Sequence, residues 1–331
     1  PASSAAGFYT QGRYSNYRTT KTNKLFESYL SYNSGTKWEK QTLEMVAGYS
    51  YQDWDTYSPN NPTLNEAQDS VIAPEAAFPF YTRNVLMSYY GRAIYNYAGK
   101  YVVNLSVRRD GSSRFSPETR WGIFPAASAA WLISEEDFLK KSTVINMLKL
   151  RAGWGITGQQ DGIGDYAYIG NYFQGATTAQ YAFGGQYYQV LRPAGFDAGL
   201  KWETTTSYNI GLDFGFKNDR ISGSVDVYQK DTRDLLATVP VPAGTNFTNE
   251  ILTNVGAMQN RGVEVSLSTG LIAKKDMRLD WTINGTYNVN TVVKLSQVVD
   301  TTSPGVLIGG IGGGIGNTIQ AHQVSYPTYT F

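Results

Sequence analysis

The chain has 331 residues, with Lys+Arg 28 against Asp+Glu 27, one His and no Cys. The absence of Cys excludes a disulfide scaffold or thiolate zinc site, and the single His322 excludes a His-based triad or metal cluster. A near-neutral balance gives no electrostatic reason to expect nucleic acid, and no run of about 18 apolar residues offers a membrane-spanning helix. The start, Pro1-Ala2-Ser3, carries neither Met nor a signal-peptide pattern and reads as part of a mature or internal piece.

Taken in chain order, the dominant signal is alternation. It is weak over residues 25–33, 43–52 and 86–97, then plain where Tyr101, Val103, Leu105 and Val107 alternate with Val102, Asn104, Ser106 and Arg108. It continues over 120–133 and returns with Leu148, Leu150, Ala152, Trp154 and Ile156 against Lys149, Arg151, Gly153, Gly155 and Thr157. Tyr208, Ile210, Leu212, Phe214 and Phe216 form the next apolar row, followed by 221–230 and 258–270. The last strand, 278–289, sets Leu279, Trp281, Ile283, Tyr287 and Val289 against Arg278, Asp280, Thr282, Asn284, Thr286 and Asn288. Successive strand side chains point to opposite faces, so each segment has one apolar and one polar side. About ten strands result, with no amphipathic helix beyond a turn or two in 134–147.

The connections alternate in length. Short ones fall near Ala98-Gly99, at 217–220 and at 272–277, with 34–42 and 134–147 at the same end. Long polar, aromatic and Gly-rich ones span 53–85, 159–203, 231–257 and 291–321, and the tight 111–119 turn shares their end. Transmembrane β-barrels have this asymmetry. A soluble all-β sandwich, such as a carbohydrate-binding or adhesin domain, also alternates. Three features favour the barrel: strands of about ten to twelve residues that suit a tilted membrane crossing, a polar face of Gly, Ser, Asn and Thr instead of Lys and Glu, and Tyr and Trp at strand ends. The fold class expected is therefore an all-β, antiparallel, up-and-down transmembrane β-barrel.

Residues 100–166 carry specific motifs: RRDGSSRF at 108–115, RWGIFPAASAAWLISEEDF at 120–138 and LKLRAGWGITGQQDGIG at 148–164. LKWETTTSYNIGLDFGF at 200–216 and TNVGAMQNRGVEVSLST at 253–269 follow. Together they resemble the SusC/RagA-type TonB-linked outer-membrane transporters, with small departures at Ala127, Ala130 and Gln159. The resemblance runs from about Val85 to the end, while the first 84 residues fit by architecture. It marks Arg108, Arg109, Asp110, Gly111, Arg114, Phe115, Arg120, Trp121 and Gly122 as structural motif residues.

What the resemblance implies is a plugged barrel of about 22 strands. Residues 1–331 would be part of one such barrel domain, with plug, N-terminal extension and C-terminal strands outside the chain. It further implies import of glycans or peptides across the outer membrane of a Gram-negative, Bacteroidota-like bacterium. Drive would come from TonB, a SusD-like surface lipoprotein would act as lid, and lipid and lipopolysaccharide would surround the wall. No enzyme activity, cofactor or metal is implied.

Within 159–203, Tyr166, Tyr168, Tyr172, Tyr187 and Tyr188 are candidate ligand contacts beside Phe173, Tyr181 and Phe183, because aromatic faces cover the apolar faces of a sugar ring. Trp54, with Tyr57, Phe78 and Tyr81, is the candidate in 53–85. Packing of the loop on itself or against a lid explains the same residues. The Gly-rich run 309–316 lacks the Lys-Ser/Thr of a phosphate loop and reads as an external loop. Asp161 and Asp165 lack EF-hand spacing and read as a turn. Glu135, Glu136 and Asp137, beside Lys140 and Lys141, suit a solvated turn better than a glycosidase pair. Arg108, Arg109, Asp110 and Arg114 read as one charged knot at a turn, with lipopolysaccharide as its expected neighbour.

Overall fold

In a computed structural model, the structure describes residues 9, 12–35, 38–75, 79–175, 178–241, 244–274, 276–295, 305–310 and 318–330. Phe78, residues 311–316 of the Gly-rich run and Phe331 lie outside them. Among the described residues, ten long strands form one antiparallel sheet in sequence order. They are β1 Thr20–Asn33, β2 Gln41–Ser58, β3 Phe80–Tyr97, β4 Tyr101–Ser112, β5 Trp121–Leu132, β6 Ile145–Gln159, β7 Glu203–Phe216, β8 Ile221–Pro240, β9 Glu250–Lys274 and β10 Met277–Lys294. The sheet is open: β1 and β10 are its edges, and Val292 of β10 exchanges backbone hydrogen bonds with Ser325 and Tyr326. The expected turn in 134–147 is a 3-10 helix, Ile133–Glu135.

The strands are longer than the alternation indicates, 25 residues in β9 and 20 in β8. At about 3.3 Å per residue, β9 is roughly 80 Å long, whereas about 9–11 residues cross a bilayer. The expected loop at 231–257 is accordingly a continuation of the β8–β9 ladder, which pairs Pro240 with Glu250. Likewise β2 runs to Ser58 and β3 begins at Phe80, so Trp54, Tyr57 and Tyr81 stand on strands instead of in a loop.

Burial is inverted relative to a soluble domain. On the apolar face Leu105 is 53% and Ile210 61% exposed, whereas Ser88 on the polar face is fully buried. The total surface of 22429 Å² compares with about 13,500 Å² for a compact soluble monomer of this mass. Leaving one such side chain in water forgoes about 1.5–3 kcal/mol. Val103, Leu105, Val107, Ile123, Ile210 and Val227 are all exposed on this face, and six such penalties are already of the order of a domain's whole stability, about 5–15 kcal/mol. A hydrocarbon surrounding removes the penalty; a sandwich would need a second sheet, and none of the described strands covers the face.

Aromatic rows bound the apolar face at both ends. Trp121 and Trp131 lie at opposite ends of β5, ten ladder steps apart, about 33 Å along the strand and about 25 Å along the normal at a 40° tilt, the height of a barrel's apolar band. Near the short turns, Tyr101 stacks on Trp131 at 6.3 Å and contacts Tyr97. Near the long loops, Phe26, Tyr49, Tyr89 and Trp121 follow one another at 6.4, 5.1 and 6.2 Å.

The short-turn row is fastened from the following turn. Glu136 Oε1 accepts from the Tyr101 hydroxyl at 2.6 Å and the Trp131 indole N–H at 3.0 Å, and Lys100 Nζ donates to Oε2 at 3.0 Å. Glu136 is thus no free member of a solvated acidic cluster, whereas Asp137, fully exposed, reaches the same Lys100 only at 4.0 Å. The Tyr101 hydrogen bond, then those of Trp131 and Lys100, hold its carboxyl at about 2, well below the ordinary 4.5.

Two predictions arise here. Leu105→Arg should destabilise the folded wall in lipid by about 2–4 kcal/mol, while Asn104→Arg on the polar face should cost far less, as read by urea unfolding in vesicles. Because folding lowers the Glu136 pKa, its contribution is fully present above about pH 4.5 and is lost as pH falls towards 2. The stability difference between wild type and Glu136→Gln should therefore hold steady from neutral pH to about 5 and close below that.

Candidate functional site

The polar face carries a connected set of ions. Arg151 on β6 donates to Asp213 of β7 through Nε at 2.9 Å and Nη2 at 2.7 Å, and Nη2 also reaches Asp226 of β8 at 3.0 Å. It crosses β7 at Gly211, where a Cβ would collide with the guanidinium. Lys149 lies 3.6 Å from Asp213. Higher on the same face, Arg108 pairs with Asp110 at 2.7 Å and donates to Ser88 at 2.7 Å. These residues line a polar path with matched charges. Sequence analysis missed the Arg151 network, although a carboxylate or arginine at matching positions of three consecutive strands was a usable signal.

At the long-loop end, β5 and β6 separate. Their ladder stops at Ala126–Gly155, while β5 still pairs with β4 up to Gly111–Trp121 and β6 with β7 up to Gln159–Glu203. A compact core occupies this region: Phe115, Phe124, Ile163, Leu200 and Trp202, all buried. Phe124 contacts Trp202 edge-on at 5.4 Å, and Phe115 contacts it at 5.1 Å. Glycines at 122 and 158 make room for the Phe124 ring, which a Cβ at either position would strike. Trp202 Nε1 donates to the Arg120 carbonyl at 2.9 Å and Thr119 Oγ1 to the Leu200 carbonyl at 2.5 Å. Two motifs some eighty residues apart, RRDGSSRFSPETRWG and LKWE, thereby become one structure. Arg120 also holds a buried Nε without a hydrogen-bond partner among the described residues.

The charged knot expected at 108–114 is divided. Arg108 and Asp110 face the polar side, Arg109 faces the apolar side over the Trp121 ring at 4.7 Å, and Arg114 turns to Asp165 at 3.2 Å and the Gln160 carbonyl at 3.4 Å. The cause is the pleat, which sends neighbours on a strand to opposite faces. Asp161 and Asp165 serve Arg114, the first at 3.9 Å. Among the described residues no three His, Asp or Glu side chains group so as to hold a metal ion.

The tyrosines of 160–202 are spread over this loop. Tyr166 has a positive φ of 66° and is exposed, and Tyr168 is half-buried. Tyr172 belongs to a short strand paired with Leu191–Pro193. Tyr188 stands opposite Tyr181 in the hairpin Gln180–Phe183/Gln186–Gln189, while Tyr187, opposite Ala182, takes the other face. Tyr172, Tyr181, Tyr187 and Tyr188 are all more than half exposed. Trp54 is half-buried on the polar face of β2, opposite Asn23 and Asn84, away from this hairpin in the sheet order. The loop's base is held by the rim core and by Asn254, which bonds Lys201 and Asp234 backbone groups, and Phe196 stacks on Phe247 of the β8–β9 connection at 6.3 Å.

A long-stranded sheet with an exposed apolar face, aromatic borders and a polar, ion-paired opposite face defines a segment of transmembrane β-barrel wall. Residues 2–330 match the TonB dependent receptor-like β-barrel family model, and the chain belongs to that family. It is 42% identical over 280 residues to TonB-dependent receptor SusC of Bacteroides thetaiotaomicron, covering 85% of this chain and 27% of that protein. TonB-dependent receptor P39 of Formosa agariphila is 37% identical over 295 residues, with 85% and 27% covered. The chain thus spans about a quarter of the length of these relatives. Among solved structures, the RagAB peptide importer in its closed-closed state superposes with a TM-score of 0.75 at 23% identity, over 94% of this chain and 33% of that one. The resemblance carried by the motifs is borne out, and the two relatives matched by sequence are named TonB-dependent receptors.

Truncating the rim core tests its role. Trp202→Ala should destabilise by about 3–5 kcal/mol and release both attached loops, seen as faster hydrogen exchange at 113–120 and 197–202. Gly158→Ala should act in the same direction through Phe124. Unchanged exchange in both variants would sink this account of the rim.

Proposed function

We propose that these ten strands are wall of the barrel of a TonB-dependent outer-membrane importer for oligomeric nutrients, glycans or peptides. The observation that carries this reading is the exposed apolar band between two aromatic rows, backed by a polar face with paired ions. In this reading the apolar face meets lipid and lipopolysaccharide, and the polar face lines the route. The edges β1 and β10 continue into further strands, on the way to about 22. A plug and the TonB-contacting segment lie in other parts of the protein, and a SusD-like surface lipoprotein closes over the long loops.

Tyr166, Tyr168, Tyr172, Tyr187, Tyr188 and Trp54 are proposed to meet substrate. Support comes from the exposed hairpin, which offers broad aromatic faces, and from the absence of any charged residue between Asp165 and Arg192. Trp54 contributes from the polar face of the wall.

The test uses the full-length receptor with its lipoprotein partner in cells. Labelled oligosaccharide and oligopeptide libraries should yield a ligand that accumulates in the periplasm with TonB present and stays at the surface without it. Tyr187→Ala/Tyr188→Ala should weaken its binding about tenfold, the effect of losing two aromatic contacts, with heat-modifiable gel migration unchanged. Uptake independent of TonB would contradict the import reading, and unaltered binding would remove the hairpin from the site.

A further inference from the structure

The two aromatic borders differ in what satisfies them. Near the short turns, Glu136 takes the polar tips of Tyr101 and Trp131 together with Lys100, so charge is matched within the chain. Near the long loops, the row ends in a cation. Arg109 is exposed on the apolar face, its guanidinium 4.7 Å from the centre of the Trp121 ring. Trp121 lies flat there because Gly111, opposite it on β4, has no side chain; a Cβ would come within 2.7 Å of the indole. Tyr89 stacks on the far side of the row at 6.2 Å.

Among the described residues no carboxylate pairs with Arg109. Its neighbour Asp110 faces the opposite side of the sheet, where both oxygens accept from Arg108 Nε at 2.7 and 2.9 Å. Farther towards the long loops on the same face the cations are matched: Arg83, beyond Tyr89 on β3, is bidentate to Asp53 at 2.9 and 2.7 Å, and Lys24 lies 3.5 Å from Asp55. Arg109 thus leaves one positive charge uncompensated at the aromatic border, between Tyr89 and Ile123. A guanidinium stacked on an indole is held in place, and its N–H edge remains open to a phosphate.

We infer that Arg109, seated on Trp121 beside Tyr89, binds the phosphate of an outer-leaflet glycolipid and so fixes the wall to the anionic leaflet. This rests on the reading of the sheet as outer-membrane wall and adds a lipid site that import of nutrients does not require.

The experiment is native mass spectrometry of the full-length receptor in detergent, titrated with phosphorylated lipid A, dephosphorylated lipid A and inorganic phosphate. Phosphorylated lipid A should bind the wild type about fivefold more tightly than it binds Arg109→Gln, the worth of one cation at an anionic surface. Wild type should show a similar preference for phosphorylated over dephosphorylated lipid A, a comparison that needs no variant. Inorganic phosphate at equal concentration should not displace the lipid. Equal binding to Arg109→Gln, indifference to lipid phosphorylation, or displacement by inorganic phosphate would each overturn the assignment. Phosphate-selective lipid binding without TonB-dependent uptake would leave this site standing and defeat the import reading; uptake without selectivity would do the reverse.

Discussion

A β-strand presents its two sides to two environments, and in this sheet the side that prefers hydrocarbon is the uncovered one. Every larger feature depends on that constraint. Backbone donors and acceptors must be satisfied by neighbouring strands, because lipid offers no substitute; hence the continuous sequential ladder from β1 to β10. The side chains that meet lipid must be apolar over about 25 Å, and beyond that height the same face turns to Tyr, Trp and charge. Polar residues are driven to the other face, where Lys149 and Arg151 neutralise Asp213 and Asp226 across three strands.

The rim core shows a second consequence. β5 and β6 cease to pair at Ala126–Gly155, midway between Trp131 and Trp121, and from there towards the long loops their facing edges lack ladder partners. Five buried side chains occupy that region, and their bonds hold the bases of two external loops. A large loop fastened at both ends can carry an exposed aromatic hairpin in a fixed place while its tip remains free to meet a ligand or lid. The rim joins wall chemistry to loop chemistry.

The membrane-crossing part of each strand was legible in the sequence because one face there is apolar and the other polar. Tyr101 to Arg108 alternates cleanly, and β4 begins at Tyr101 as read. Above the membrane both faces meet water, so Gln229, Asp231, Thr232 and Arg233 are polar on either side and the period vanishes although the ladder continues. That is why 231–257 reads as a loop in sequence and is a hairpin in structure. The motif residues were legible as a set, but not their directions: the pleat separates Arg109 from Arg108 and Asp110, and Phe115 meets Trp202 only through the fold. The clamp at Glu136 was hidden for a similar reason, since its partners Tyr101 and Trp131 belong to two other strand ends. The tyrosines of the external loop were recognisable by composition, while their distribution over hairpin faces required the register.

The most direct measurement of the central claim is a site-by-site accessibility scan of β4 in the full-length receptor in native outer membrane. Single spin labels at positions 102 to 107 would be exposed in turn to a lipid-soluble and a water-soluble relaxing agent. The account predicts strict alternation, with 103, 105 and 107 reached from lipid and 102, 104 and 106 from water. Uniform water accessibility, or lipid access at the even positions, would contradict it.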